Sequence, residues 1–341
     1  MEMITILNTI RQNASATYQE RIPEATRTNL ESIRYAMIDS DNIQVANEFM
    51  STLLNKLVKS VVHTKMFKNP LRSLKKGNKP LGDTIEEIYA NFVKGNVPDQ
   101  TGAGLLSRHL PDTKTVYHRM NYSQQYPITI DRKRLAKAFT SWENLERFVS
   151  QTIAKLYDSA NLDEFINMKQ LIASAYEKGA MKVVEIADPL SSKTNGEAFI
   201  KAVKTTSGLM EFPSKDWNGY LTAQSTDTKP IITFSDKSEQ ILIIDTATNV
   251  STAVDVLASA FNMSVVEFNE TRKIVVDVLP IEGARAVLVD EAFFQVWDDF
   301  FAITEFFNGQ GVYTNYYLNV DQTLAYSILV NAVVFKVKAS A

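Results

Sequence analysis

Between Pro127 and Gly179 the chain runs for 51 residues without a proline or a glycine, and most of that stretch reads as helix. Thr140 is placed to cap it, with Glu143 three residues on completing a capping box, while Lys178 and Gly179 supply a cationic last turn and a left-handed stop. Leu145, Phe148, Val149, Thr152, Ile153, Leu156, Tyr157 and Ala160 mark one apolar stripe, which shifts near Asn161 and resumes through Phe165, Met168, Leu171, Ile172 and Ala175. The spacing predicts a helix over 141–178 with a kink or rotation near Asn161. At about 1.5 Å per residue such a helix is roughly 57 Å long. A compact ball of 341 residues is only roughly 50 Å across. A protomer built on that spine is expected to be elongated or plate-like.

Upstream lies a second constraint, the stretch NPLRSLKKGNKPLGDTIEEIY beginning at Asn69. Pro70, Gly77, Pro80 and Gly82 exclude a helix across it, and Thr84 to Val93 is open between strand and short helix. Residues 94–113 read as loop, with Gly95, Pro98, Gly102, Gly104 and Pro111. Beyond them Val116, His118, Met120 and Tyr122 alternate with Tyr117, Arg119 and Asn121 in β-favouring company. Residues 70–130 are therefore expected to form a long two-armed β excursion with a flexible tip. An isolated hairpin is marginal in water, so neighbouring subunits are its expected cover. Further upstream, Val45, Phe49, Leu53, Leu57 and Val61 recur every four residues and predict an amphipathic helix from Val45 to Val62.

Charge is segregated along the chain. Between Phe49 and Gly82 stand Lys56, Lys59, Lys65, Lys68, Arg72, Lys75, Lys76 and Lys79 without one acid, leaving the remainder at −11 against a whole-chain −3. This points to a polyanion, to an acidic surface such as another copy of the chain, or to a solvated basic face. With 45% hydrophobic and 22% charged residues the chain is expected to fold, and its lack of cysteine excludes disulfides and thiolate metal sites. Glu2 replaces the positive charge of a signal peptide, and no stretch approaches the roughly 20 apolar residues of a membrane helix, so no membrane association is expected.

After a linker at Ala187 to Gly196 the pattern turns to mixed α/β. Gln240–Asp245, Lys273–Leu279 and Ala284–Asp290 read as strands, Ser251 as the cap of a helix reaching Asn262, and Glu291 to Asp299 as a short helix. Val312 to Lys338 reads as two further strands.

The chemical inventory is thin. Phosphate-loop, dinucleotide, nucleophile-elbow and metalloprotease motifs are absent, and the EF-hand pattern fails after Asp39 and Asp41. His63, His109 and His118 are scattered. The pairs Glu86–Glu87, Asp163–Glu164 and Asp298–Asp299 are adjacent residues that do not face one another, and read as solvated acids. Asp245 ends an apolar strand where α/β proteins place ligands, but without a glycine-rich turn it reads as a cap. Arg132, Lys133, Arg134 and Lys137 suit a solvated turn or a nucleic-acid contact. No catalytic, cofactor or metal residue is assigned, and an enzyme is not expected. Two rival classes stand from the residues alone: a nucleic-acid-binding protein using the basic segment 56–79, and an α/β enzyme with a ligand pocket in the Asp245 region.

Six blocks in one order, from NPLRSLKKGNKPLGDTIEEIY through FTSWENLERFVS, VLASAFNM and EGARAVLVDEAFFQVWDD to NYYLNVDQTLAYSILVNAVVF, with the tyrosine-rich strand between the first two, resemble the major capsid proteins of the phi 29 group of short-tailed bacteriophages. The resemblance implies an α+β tailed-phage capsid fold of the Hong Kong 97 type. It divides the chain into an N-terminal arm (1–65), an extended β loop (66–130), a peripheral domain with the spine helix (131–186 and 312–341) and a small α/β axial domain (187–311). It implies a major head protein of the virion, assembled in the bacterial host cytoplasm into pentamers and hexamers of an icosahedral or prolate shell around double-stranded DNA. Its partners would be itself, a scaffolding protein and portal during assembly, and the packaged DNA on the inner face; no cofactor is implied. Pro70, Arg72, Lys75, Lys76, Gly77, Pro80, Gly82, Glu86 and Glu87 of the extended loop would make the inter-subunit contact. Some relatives continue into an immunoglobulin-like surface domain beyond the last sheet, which this sequence does not carry past NAVVFKVK, so an adhesion role is not expected.

Overall fold

The computed structural model describes residues 3–38, 43–57, 67–79, 84–97, 106, 108–149, 155–224, 229–252 and 272–338. Helices α1 (Met3–Asn13), α2 (Ala16–Arg21), α3 (Leu30–Ile38) and α4 (Ile43–Leu57) open the chain. A 3-10 turn, Pro70–Leu74, leads to strands β1 (Lys75–Asn78), β2 (Thr84–Ala90), β3 (Thr113–Arg119) and β4 (Tyr122–Asp131). Helices α5 (Arg132–Ala138), α6 (Trp142–Phe148) and α7 (Lys155–Glu177) follow, then β5 (Lys182–Ile186), α8 (Lys193–Met210) and α9 (Tyr220–Ala223). The chain continues with β6 (Gln240–Asp245), α10 (Thr246–Ser251), β7 (Lys273–Val276), β8 (Ala284–Asp290), β9 (Phe294–Asn308), β10 (Tyr313–Tyr326) and β11 (Ala332–Val337). Hydrogen-bonded sheet orders are β1-β9-β10-β4, β5-β11-β8-β6-β7 and the pair β2-β3.

Two compact units result. The first comprises Met1–Asn69, Tyr122–Glu164 and Asp298–Gln322. Its core joins Ile10, Phe49, Phe139, Leu145, Tyr316 and Leu318. Val45, Phe49 and Leu53 are buried as their four-residue spacing predicts, with Phe49 edge-on to Phe139 at 5.3 Å; residues 58–62 of the expected helix lie outside the described residues. Strands β4 and β10 pair antiparallel from Asp131↔Tyr313 to Tyr122↔Gln322. The β9–β10 turn is fixed by the Asn308 side chain, which accepts from the Gln310 and Gly311 backbone N–H groups at 3.0 and 3.1 Å.

Both ends of the expected spine helix are found as α6 and α7; residues 150–154 lie outside the described residues. Its cap is Ser141 rather than Thr140: the Ser141 hydroxyl accepts from the Asn144 N–H at 3.2 Å, while Glu143 pairs with Arg147 at 3.0 Å instead of closing a capping box. Gly179, at φ +73°, ends α7, and the Ala180 N–H reaches back to the Ala175 carbonyl at 2.9 Å, a left-handed stop that glycine enters without strain. The stripe shift near Asn161 separates two cores: Leu156 and Tyr157 belong to the first unit's core, Phe165 onward to the second's.

The second unit comprises Pro70–Asn121, Phe165–Trp297 and Thr323–Ala341. In its five-stranded sheet β5 runs parallel to β11 and β7 parallel to β6, the remaining pairs being antiparallel. Alternate residues feed two cores, as a sheet buried on both faces requires. Ile241, Ile243, Val287, Val289 and Val334 join Met168, Ile172 and Ala175 of α7, while Leu242, Ile244, Leu288, Val333 and Phe335 meet Phe199 and Val203 of α8.

Several expectations are corrected. The segment Glu291–Asp299 is not a helix; after a turn it becomes the start of the 15-residue strand β9, whose aromatic and β-branched residues are held by the ladder to β10. Strand β7 stops at Val276, three residues before Leu279. The linker at 187–196 gives way to helix at Lys193, where the Ser192 hydroxyl accepts from the Asn195 N–H at 3.2 Å. Residues 113–130 do not form one strand: the Asn121 side chain clasps the Leu324 backbone by two bonds of 2.8 Å, and the chain breaks there into β3 and β4 of different sheets. Most of the helix expected from Ser251 to Asn262 lies outside the described residues.

Candidate functional site

Strand β2 settles the open reading of Thr84–Val93 in favour of extended chain, since Ile85, Glu87 and Tyr89 fall on one face by the period of two. It pairs antiparallel with β3, from Thr84↔Arg119 to Ala90↔Thr113. The Asn91 N–H extends the ladder to the Asp112 carbonyl at 2.9 Å.

The two faces of this hairpin differ. On the inward face the Gln295 amide donates to Glu87 at 3.0 Å, and His118 Nε2 meets the same carboxylate at 2.7 Å. Tyr89 donates its hydroxyl to the Ile232 carbonyl, and burial pushes its phenol pKa up. Asn91 donates to the Pro230 carbonyl at 3.0 Å and accepts from the Ile232 N–H at 3.3 Å, so one side chain mimics the edge of a strand. Its amide also lies 3.4 Å from Asp112, and that bond holds the Asp112 carboxyl below its ordinary range. This face is seated on its own unit.

Among the described residues the outward face has no such seat; residues 98–105 and 107, most of the expected flexible tip, lie outside the described residues. Glu86 accepts from the Tyr117 hydroxyl at 2.9 Å, which raises the phenol pKa, and this pair stands exposed beside Ile88. Past the paired strands, Val93, Val97, Leu106 and Leu110 are 83%, 91%, 94% and 84% exposed. A soluble chain leaves single apolar residues in water freely, but apolar residues gathered on one projecting element mark a surface that another body covers.

The residues expected to make inter-subunit contacts are distributed around this element. Pro70 opens the 3-10 turn, whose Leu71 and Leu74 are buried anchors, leaving Arg72 exposed. Lys75 and Lys76 lie in β1, and Lys76 donates to the Glu291 carbonyl at 2.7 Å. Gly77 has φ +104°, a conformation that demands glycine. Pro80 and Gly82 lie outside the described residues, as do Lys59 and Lys65 of the basic segment. Glu86 and Glu87 point to opposite faces of β2, so only Glu86 is outward. Sequence reasoning missed Tyr89, Asn91 and the apolar tip; the one available signal was isolated Val and Leu residues inside an otherwise polar, glycine-rich loop.

Elsewhere, several acids serve structure, and His63 lies outside the described residues. Asp245 caps α10, accepting from the Thr248 N–H at 2.5 Å, with Arg285 at 3.7 Å. In the first unit Asp163 accepts from Tyr126 at 2.8 Å, and Glu164 accepts from Asn69 at 2.8 Å and Gln322 at 3.1 Å. Among the described residues no three His, Asp or Glu side chains are grouped to hold a metal, and no helix is long and apolar enough to cross a membrane.

Comparison with known proteins gives a consistent outcome. The family model of Phi29-like phage major capsid proteins matches residues 7–336. The major capsid protein of Bacillus phage PZA is 35% identical over 340 residues, 98% of this chain and 73% of that protein. That of Bacillus phage B103 is 34% identical over the same shares. The capsid structure of Staphylococcus phage Andhra superimposes with a TM-score of 0.64 at 13% identity, over 82% of this chain and 87% of that one, a likeness of fold.

Proposed function

The chain belongs to the family of Phi29-like phage major capsid proteins, and from that premise we propose that its copies tile through the β2–β3 hairpin into pentamers and hexamers. As a major capsid protein of a tailed bacteriophage it is a structural component of the virion shell. The finer reading is a closed icosahedral or prolate shell around double-stranded DNA, built in the host cytoplasm with a scaffolding protein and a portal. Its work is assembly, without a catalytic step.

One observation carries the reading: the hairpin is seated on its own unit along one face, exposes Ile88 beside the Glu86–Tyr117 pair on the other, and carries the exposed Val93, Val97, Leu106 and Leu110 beyond its paired strands. A head-to-tail contact, in which the tip of one copy meets a different patch on the next, generates rings and closed shells rather than isolated dimers. In this reading residues 66–130 are the extended loop, 1–65 the N-terminal arm, 131–186 with 312–341 the peripheral domain and 187–311 the axial domain. Arg72, Lys75, Lys76 and Glu86 would set register at the rim by charge, while Pro70 and Gly77, with Pro80 and Gly82, would shape the loop's base; buried apolar area would supply most of the affinity. Glu87, tied to His118 and Gln295, would brace the hairpin from within.

The test is electron microscopy of the purified full-length chain. Closed particles or capsomer rings are expected; a species that remains single-chain at high concentration, with and without co-expressed scaffolding protein, contradicts the proposal.

A further inference from the structure

The chain carries a second cationic feature, apart from the segment between Phe49 and Gly82. From Arg132 to Trp142 stand four Lys or Arg residues and no acid, in a chain of formal net charge −3. Arg132, Lys133 and Arg134 fill the first turn of α5, where the positive end of the helix dipole disfavours cations and where adjacent cations repel one another. Asp131 offsets part of this as the cap, accepting from the Arg134 N–H at 2.6 Å. Helix stability therefore does not account for these residues.

Their placement does point to a use. Arg134 and Lys137 line a groove of about 340 Å³ together with Asn144 and Arg147 of α6 and Thr140 of the turn before it. A wider depression of about 840 Å³ shares Arg134 and Lys137 and continues past Arg132 and Lys133 to the β9–β10 turn at Gly311 and Val312. The two form one cationic trough within the first unit. Cations joined by a hydroxyl and a carboxamide are the set that contacts phosphate oxygens. Phe148, the aromatic residue bordering the groove, is buried, so the groove presents no ring for stacking unpaired bases. The wider depression is lined by four cations against one acid, Asp131, and the groove adds Arg147, so charge complementarity selects a polyanion. The Arg147–Glu143 pair, exposed at 59% and 80%, is weak enough to be exchanged for a phosphate.

We infer that this trough seats the phosphate backbone of duplex DNA, making the α5–α6 face the one that the subunit turns toward packaged genome. The inference rests on the capsid reading above and adds the contacting face to it. No base contact is involved, so binding is independent of DNA sequence and steeply dependent on salt.

The experiment is fluorescence anisotropy of the unassembled full-length chain with a duplex of about 20 base pairs across roughly 50–200 mM salt. Lys133→Gln, Lys137→Gln and Arg147→Gln together are expected to lower the slope of log Kobs against log salt by about 2.7, at about 0.9 for each lost phosphate contact. The exposed single change Lys137→Gln is expected to lower it by about 0.9, which keeps the test decisive should the triple variant misfold. Lys75→Gln with Lys76→Gln is expected to leave the slope unchanged. Absence of duplex binding by the wild type, an unchanged slope in the trough variants, the same loss in the Lys75 and Lys76 variant, or tighter binding of poly-glutamate than of duplex at equal charge overturns the inference. Electron microscopy of wild type in parallel separates the two ideas: failure to assemble counts against the capsid reading, while intact shells with an unchanged slope count against the trough alone.

Discussion

If the hairpin tip is covered only by a neighbouring copy, removing its apolar groups must weaken assembly while sparing the fold. Val97→Ser with Leu110→Ser is the sharpest such change, because the two residues are 91% and 84% exposed in the lone chain and contribute almost nothing to its core. Burying a Val or Leu side chain stabilises by about 1.5–3 kcal/mol, so the pair is worth about 3–6 kcal/mol per tip contact. At about 1.4 kcal/mol per decade this weakens each contact by a factor of about 10² to 10⁴. With one tip per subunit, the lowest concentration at which particles form should rise by a comparable factor. Sedimentation of particles against total protein measures that concentration, and thermal unfolding of the unassembled chain should stay within about 0.5 kcal/mol of wild type, as for surface changes generally. Assembly at an unchanged concentration refutes the reasoning, because the tip would then be covered by nothing.

Three further outcomes are expected. Reversing Lys75 and Lys76 to Glu should lower particle yield in sedimentation assays while circular dichroism stays native, since the bond Lys76 makes to the Glu291 carbonyl is exposed. Gly219→Ala should destabilise the unassembled chain in urea unfolding by about 3 kcal/mol or more, because a Cβ there would lie 2.3 Å from the Ala180 backbone, which cannot swing aside as a side chain would. Burial raises the Asp290 carboxyl pKa above its ordinary 3.8, so the stability linked to its neutral form is full below that value and is lost as pH rises through the raised one. Asp290→Asn removes this dependence, and its Tm relative to wild type should climb as pH rises above 3.8; a flat difference would show that the wild-type carboxyl is not penalised by burial.

Elements whose partners are local or whose pattern is one-sided were legible in the sequence. The run QILIID is buried along its whole length as β6, ARAVLVD matches β8 end to end, and Asp245 caps α10 as its place after an apolar strand suggests. What escaped depends on distant partners. EAFFQVWDD looks helical in isolation, and the ladders to β1 and, through the turn at Asn308, to β10 make it strand. The break at Asn121 is set by the backbone of Leu324, about two hundred residues away in sequence, for which the alternation around Met120 holds no trace. The same holds for the hairpin: Glu86 and Glu87 look equivalent in sequence, yet Gln295 and His118 draw one inward while the other stays at the surface.

The most direct measurement is a cryo-electron microscopy map of particles formed by the full-length chain, read at the hairpin tip. Density from a neighbouring subunit packed against Val93, Val97 and Leu110 in every capsomer position is the predicted result. Closed particles in which those side chains face open solvent would contradict it.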